Sequence, residues 1–475
     1  MSWIPDRIFR PRGWVMMAAG LLALLFAQVL GRRDLLVLAV FLLALPPLAS
    51  AGLRLLAPGF TVKRRFSPAF VEAGTAASVT LEVHGSTPGG GSARLTELLP
   101  PHLIDVPRFD YPNPVTPRSL ISRYSYTLHP SRRGVFTIGP LTAKFGDPFD
   151  VALLARDLDA GEQLTVAPAA VVLPEISLTG GRGQDGSRMT RQQANPSEDD
   201  VMTREYRHGD PLRRVHWPAT ARQGKLMVRA EESVTTPEAA LVLDQRRWAY
   251  GGAAKPQRRP DALATTPAFE WAVTAAVSIA AHLLERSYTL RVLDDQGRPG
   301  FASSRSAAEP GREDFAGQSG ALAVAQSLAA LELGARELGA RELGSRELGA
   351  RELGAPRGSE AAVPLADVLA DRLIQTRRRG PVIAVTGALS EPDAMILAAA
   401  IEAAEGAFAF IVCPDPAQVA EPLNILRRAG WQALAVAPHT PLLQAWMELD
   451  EPAVLPAPTT GSLPRVHAPT AGGPP

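Results

Sequence analysis

Residues 381–412, PVIAVTGALSEPDAMILAAAIEAAEGAFAFIV, decide the fold class of the C-terminal half. PVIAVTG and AFAFIV are short continuous apolar runs without the alternation of a half-solvated strand, so each reads as a strand covered on both faces. The stretch between them, Pro392 to Ala404, reads as a helix. Working outward, AALVLDQRR (239–247) and YTLRVLDD (288–295) are further strands, with an Ala- and Leu-rich helix from Pro267 to Arg286 between them. WQALAVA (431–437) follows a helical stretch from Ala417 to Ala429. Strands interleaved with helices predict a doubly wound parallel sheet over 238–450. Ligands of such sheets sit at the carboxyl ends of strands, where Asp244 follows Leu241-Val242-Leu243.

The N-terminus has a different composition. Arg7, Arg10 and Arg12 precede an apolar run from Trp14 to Leu30, broken only by Gln28, and a second run extends from Leu35 to Leu53 across Pro46-Pro47. Gly31-Arg32-Arg33-Asp34 alone separates the two, which predicts a transmembrane helical hairpin over 1–58. A signal peptide also fits the basic start, but the second run follows at once and no small-residue cleavage pattern lies between them. Arg7, Arg10 and Arg12 before the hairpin, with Arg54, Lys63, Arg64 and Arg65 after it, outnumber Arg32 and Arg33 in the link. The positive-inside rule then predicts a multi-pass protein of the cell membrane with its globular part facing the cytoplasm.

Between the two halves, residues 59–174 carry short alternating runs separated by Gly and Pro: FTVKRRF, ASVTLEVHG, SRYSYTLHP, GVFTIGPLTAKF and EQLTVAPAAVVL. Their spacing predicts an antiparallel β-sandwich with no cluster of catalytic or ligating side chains, acting as a spacer or docking surface. The formal net charge of the 475 residues is +1, so no global field favours a polyanion, and no nucleic-acid partner is expected. Cys413, the single cysteine, excludes an internal disulfide and sits in the apolar run FAFIVCP as a small buried hydrophobe. Within an insertion at 331–356, RELGA occurs four times from Arg336 to Ala355, with Ser345 as the one substitution. A five-residue period turns by ~140° per repeat, so its leucines form no single stripe, and each Gly weakens a helix by about 1 kcal/mol. The tail at 451–475 is rich in Pro, Thr and Gly and is expected to be disordered.

Chemistry-bearing side chains concentrate in the segment 175–237, at TREYRHGDPLRRVHWPATARQGKLMVR (203–229). It holds seven cations against two anions, with His216 beside Trp217. Guanidinium groups fork onto carboxylates or phosphates and stay charged when buried. Three readings are open: an internal clamp between domains, an anion or nucleic-acid site, and a catalytic His216. His208 to Pro211 reads as a tight turn and KLMVRA as a short strand.

This stretch resembles the signature of the family called domain of unknown function 58, R-E-Y-x-x-G-D-x-x-R-x-[IV]-x-W-x-x-[ST]-A-R followed by L-x-V-[RK]. The matching residues are Arg204, Glu205, Tyr206, Gly209, Asp210, Arg214, Val215, Trp217, Thr220, Ala221, Arg222, Leu226, Val228 and Arg229. Pro218 replaces a common Lys, and Glu198-Asp199-Asp200-Val201 stands where Gly-x-Glu-Phe is more usual. Ser131 to Ala152 resembles the end of the same family's sandwich, with Asp147-Pro148-Phe149 matching and Asp150 where Gly is usual.

The resemblance implies a von Willebrand factor A-like C-terminal domain, in which Asp-x-Ser-x-Ser binds a divalent cation. Here those positions read Asp244-Gln245-Arg246-Arg247-Trp248, so Asp244 is a degenerate metal position and no metal or cofactor is expected. Thr386 and Ser390 could add oxygen ligands but cannot rebuild the set. Family context implies a MoxR-type AAA ATPase and other membrane proteins as partners. The expected function is a non-enzymatic, membrane-anchored scaffold for assembling or remodelling complexes, with interaction residues Arg204, Glu205, Tyr206, Gly209, Asp210, Arg214, His216, Trp217, Arg222 and Arg229. The alternative is an anion-binding or enzymatic site built on the same arginines. Buried, partnered guanidinium groups favour the scaffold; exposed, clustered ones favour a ligand.

Overall fold

A computed structural model describes residues 9–55, 59–85, 93–101, 103, 106–112, 121–176, 178, 203–206, 215–229, 237–251, 263–334, 364–374, 380–402 and 404–450, without the side chains of Thr203, Arg204 and Arg229. The RELGA repeat, the C-terminal tail, the segment 198–201 and the His208–Pro211 turn lie outside the described residues.

Two helices open the chain, α1 (Pro11–Leu30) and α2 (Arg33–Leu55), and both are long and apolar enough to cross a membrane. Gly31 ends α1 in a left-handed conformation with φ 64°, donating its N–H to Ala27 O at 3.0 Å. The helices pack closely at Gly20, where a Cβ would stand 2.9 Å from Leu43 Cγ. Pro46 and Pro47 lie inside α2 without ending it.

The β domain contains β1 (Phe60–Ser67), β2 (Val71–Glu72), β3 (Ala77–Gly85), β4 (Ala93–Glu97), β5 (Arg108–Tyr111), β6 (Ile121–Leu128), β7 (Gly134–Ile138), β8 (Leu141–Gly146), β9 (Leu153–Asp157) and β10 (Glu162–Ala167). They form sheets ordered β1-β3-β6, β2-β10-β7 and β5-β4-β8-β9, antiparallel except for the β2–β10 pair. The run predicted over 134–145 is two strands, because Gly139-Pro140 interrupts it and proline has no N–H for a ladder. The run predicted over 162–173 ends at Ala167 for the same reason, before Pro168. Leu53 of α2 joins Leu81, Val83, Leu95, Leu141 and Phe145 in one of the two apolar cores, so the helix pair is packed onto this domain.

The signature segment forms β11 (Thr203–Glu205), α3 (Trp217–Gln223) and β12 (Met227–Arg229), with β11 antiparallel to β12. The C-terminal domain follows as β13 (Glu238–Leu243), α4 (Pro267–Glu285), β14 (Thr289–Asp294), β15 (Asp314–Ala316), α5 (Gly317–Ala329), α6 (Asp367–Ile374), β16 (Val382–Thr386), α7 (Glu391–Ala399), β17 (Ala407–Val412), α8 (Ala420–Ala429), β18 (Gln432–Val436) and α9 (Leu442–Asp450). Its sheet runs β15-β14-β13-β16-β17-β18, parallel throughout except for the edge strand β15. The doubly wound reading is therefore correct. Alternate residues of β13 enter opposite cores, Leu241 and Leu243 on one face and Ala240 and Val242 on the other. Helix α4 matches a membrane span in length and composition, yet most of it is buried against the sheet.

A seam joins the β domain to the α/β domain. Arg133, just before β7, has its guanidinium buried and donates to both carboxylate oxygens of Glu270 on α4, Nε to Oε2 at 3.0 Å and Nη2 to Oε1 at 3.0 Å. It also bonds the Leu328 carbonyl at the end of α5. Residues 168–174 run along α4: Val171 N–H donates to Ser278 Oγ at 2.9 Å, and Trp446 Nε1 donates to Pro174 O at 3.0 Å.

Candidate interaction site: the strand ends and the signature segment

Strand order reverses between β13 and β16, and a doubly wound sheet opens its ligand crevice at such a point. Here the crevice is filled by the chain itself. The β13–β16 ladder runs on to Asp244 N–H, which donates to Val385 O at 3.0 Å, and the loop after β13 then folds across the crevice, where Ala388 N–H donates to Ala249 O at 2.7 Å. Gly387 permits this approach, since a Cβ there would lie 2.4 Å from Ala249 O.

At the centre stands Arg246. Its Nε and Nη2 donate to Asp244 Oδ1 and Oδ2 at 2.9 and 2.8 Å, and its Nη1 donates to Asp393 Oδ2 at 3.1 Å. Side-chain exposure is 2% for Arg246 and 0% for both aspartates. The guanidinium also lies over the Trp248 ring, 4.8 Å from its centroid. Burial disfavours its charge, but Asp244 and Asp393 outweigh that and raise its pKa further. Asp393 is otherwise satisfied by the N–H groups of Leu365 (2.8 Å) and Ser390 (3.1 Å). Burial and the nearby Asp244 charge push Asp295 up to about 6. Gln245 seals the flank through Gly300 O (2.6 Å) and Ser303 Oγ (3.0 Å), and its carbonyl accepts from Gly334 N–H at 2.9 Å.

This donor set does not fit a divalent cation. Both oxygens of Asp244 face a fixed guanidinium that occupies the cation's place and repels a second positive charge. Ser390 Oγ and Thr386 Oγ1 are not directed there either: Ser390 caps α7 in a reciprocal box with Asp393, and Thr386 lies 3.4 Å from Phe410 O.

The signature segment is arranged otherwise. Arg222 lies exposed on α3, Trp217 is 66% exposed, and Glu205 and Lys225 pair at 2.9 Å in solvent. His216 is the N-cap of α3, its Nδ1 accepting from Ala219 N–H at 3.2 Å, which is a structural role. Tyr206 N–H donates to Leu226 O at 2.8 Å, and His216 N–H to Met227 O at 2.8 Å, so backbone bonds hold the segment together. Arg204 and Arg229 contribute their backbones to β11 and β12; Gly209, Asp210 and Arg214 lie outside the described residues. Among the described residues, the guanidinium that clamps the domains is Arg133, outside the signature. Asp393 and Arg133 escaped the sequence reading. The spacing Ser390-x-x-Asp393 of a capping box was the available signal for the first, while Arg133 was legible only as part of the Ser131 to Ala152 segment that resembles the family, with nothing to mark its distant partner.

The chain thus combines a pair of apolar helices able to cross a membrane, an antiparallel β domain and a doubly wound α/β domain with a salt-bridged switch point. Residues 202–298 match the family model described as "Protein of unknown function DUF58", which supports identification of the chain with that family. No curated protein matches it. A solved structure similar in part is the CARDB domain of a Pyrococcus furiosus protein in complex with di-metal ions, at 13% identity over 23% of this chain and 88% of that one. Its TM-score is 0.15.

Proposed function

We propose that this is a membrane-anchored interaction protein without enzymatic activity, whose α/β domain offers a metal-independent docking surface. The observation that supports this most is the Asp244–Arg246–Asp393 cluster, where the carboxylates best placed for acid–base or metal chemistry are neutralised by a tethered cation. The antiparallel edge strand and an Asp at the end of β13 favour a von Willebrand factor A-like reading of this domain, with a guanidinium in place of the metal. Resemblance to the family favours a MoxR-type AAA ATPase as partner, in the assembly or remodelling of membrane protein complexes. The cation count around the helix pair favours a cytoplasmic position for the globular part.

The test is co-purification of the full chain from solubilised membranes with a MoxR-type ATPase, for the parent and for a folded Arg204→Ala, Arg214→Ala double variant. Capture by the parent supports the interaction reading; loss by the variant would move the contact to the signature segment, and retention would leave it on the α/β domain. A second reading, an anion site, draws on the exposure of Arg222 and Lys225. It predicts that the parent binds a phosphorylated small molecule and captures no ATPase.

A further inference from the structure

The turn Asp147–Asp150 joins β8 to β9 beside the start of α1. Its Asp147 carboxylate accepts N–H bonds from Phe149 (2.9 Å), Val151 (2.8 Å) and Ala152 (2.6 Å). These bonds fix the turn with Phe149 at its tip, 60% exposed. Asp150, where the family usually has Gly, adopts φ 58°, the left-handed region glycine tolerates best. Its carboxylate pairs with Arg10 and, at 3.5 Å, with Arg12.

The turn is joined to α1 without a linker. Arg10 N–H donates to Val151 O at 2.9 Å, and Phe9 forms a bridge with Ala152. Gly13 lies so close that a Cβ would stand 2.4 Å from Val151 O. The 20 residues of α1 span ~30 Å at ~1.5 Å per residue, the thickness of the hydrocarbon layer, so none of the helix is left over as a stalk. Gly20 of α1 lies against Leu42 and Leu43 of α2. Seven residues back along α1 and seven forward along α2 bring Gly13 level with Ala49, which packs on the β-domain core that includes Leu53. Both helices therefore meet the β domain where they leave the hydrocarbon. At that level Phe9 and Trp14 sit edge to face, 5.7 Å apart, as aromatic side chains do at headgroup depth.

We propose that the Asp147–Asp150 turn is a membrane-contact site, with Phe149 seated in the headgroup–acyl boundary of the leaflet that α1 enters. The inference rests on α1 and α2 spanning a bilayer. It makes the β domain lie directly on the lipid surface, held at three points: α1, α2 and Phe149.

The test uses the full chain with buried Cys413 replaced by Ala and a single new cysteine carrying an environment-sensitive fluorophore, reconstituted in phosphatidylcholine vesicles. Part of the lipid bears a spin label near the headgroup end of its acyl chain. Labels go in turn at Phe149→Cys, at Leu25→Cys on the outer face of α1, and at Val172→Cys, 91% exposed in the segment leading to the α/β domain. Circular dichroism and size-exclusion profiles check that each variant folds. Roughly twofold quenching by spin-labelled lipid is expected at 25 and 149, with none at 172. Quenching at 25 but not at 149 overturns the contact while leaving the spanning helices in place. No quenching at 25 overturns the spanning reading, and the contact with it. Quenching at 172 as strong as at 149 overturns the assignment to this turn.

Discussion

Charge is handled in opposite ways at the signature segment and at the switch point of the α/β domain. In the signature, Glu205 and Lys225 pair in open solvent and Arg222 is exposed, so water screens each charge. At the switch point one guanidinium meets two fully buried carboxylates, and the remaining oxygens are largely met by backbone N–H groups. The first region leaves its charges available to a partner; the second has committed them to the fold. A third arrangement lies in the β domain, where Arg64 Nη1 meets Asp159 at 2.8 Å and Nε meets Glu97 at 3.0 Å. There, among the described residues, Glu97 Oε2 is buried without a hydrogen-bond partner, and Arg64 Nη2 and Tyr126 Oη are buried without a well-aligned one, although Nη2 approaches Glu97 Oε1 to 2.7 Å. A buried ion pair stabilises only when the rest of its hydrogen-bonding capacity is met.

The comparison breaks first if Arg246→Ala is mild. Two buried carboxylates would lose their counter-charge, and thermal melting of the solubilised chain should show a loss of about 3–5 kcal/mol. Glu97 gives the next effect, as a pH dependence. Burial raises it from 4.5 to about 7, so its contribution to stability is present at low pH and is lost as the pH rises across that window. The loss is at most about 3 kcal/mol, and Glu97→Gln should remove that part of the slope in melting temperature against pH. Arg133→Ala should cost about 2 kcal/mol, because Glu270 keeps partial access to water, and should separate the melting of the β and α/β domains. Lys225→Ala sharpens the contrast from the other end: an exposed pair should change stability by less than about 0.5 kcal/mol, within the error of the same melt.

The strands of the α/β domain were legible because AALVL, VIAVT and AFAFIV are covered on both faces and therefore continuously apolar. Edge strand β15 was not, since its three residues, Asp314-Phe315-Ala316, offer too short a pattern. Helices α3, α5, α6 and α9 were also missed, and β2, β4, β5, β9 and β11 escaped beside the turns that bound them. At the strand ends, Arg246 was legible as a charge unsuited to a metal site. Its second partner was not, because Asp393 arrives from α7, 147 positions along the chain. The clamp was expected among the signature arginines because they are dense there. Arg133 performs it through a partner 137 positions away, and local density carries no information about such distant pairing.

The seam through Arg133 has a mechanical side. A load applied to the α/β domain passes through Arg133–Glu270 and Trp446–Pro174 into the β domain, then through Val151–Arg10 and Leu53 into the helix pair. Among the described residues, each of these joints is a short bond or a packed contact. Torque exerted on the α/β domain would therefore reach the helix pair through these contacts.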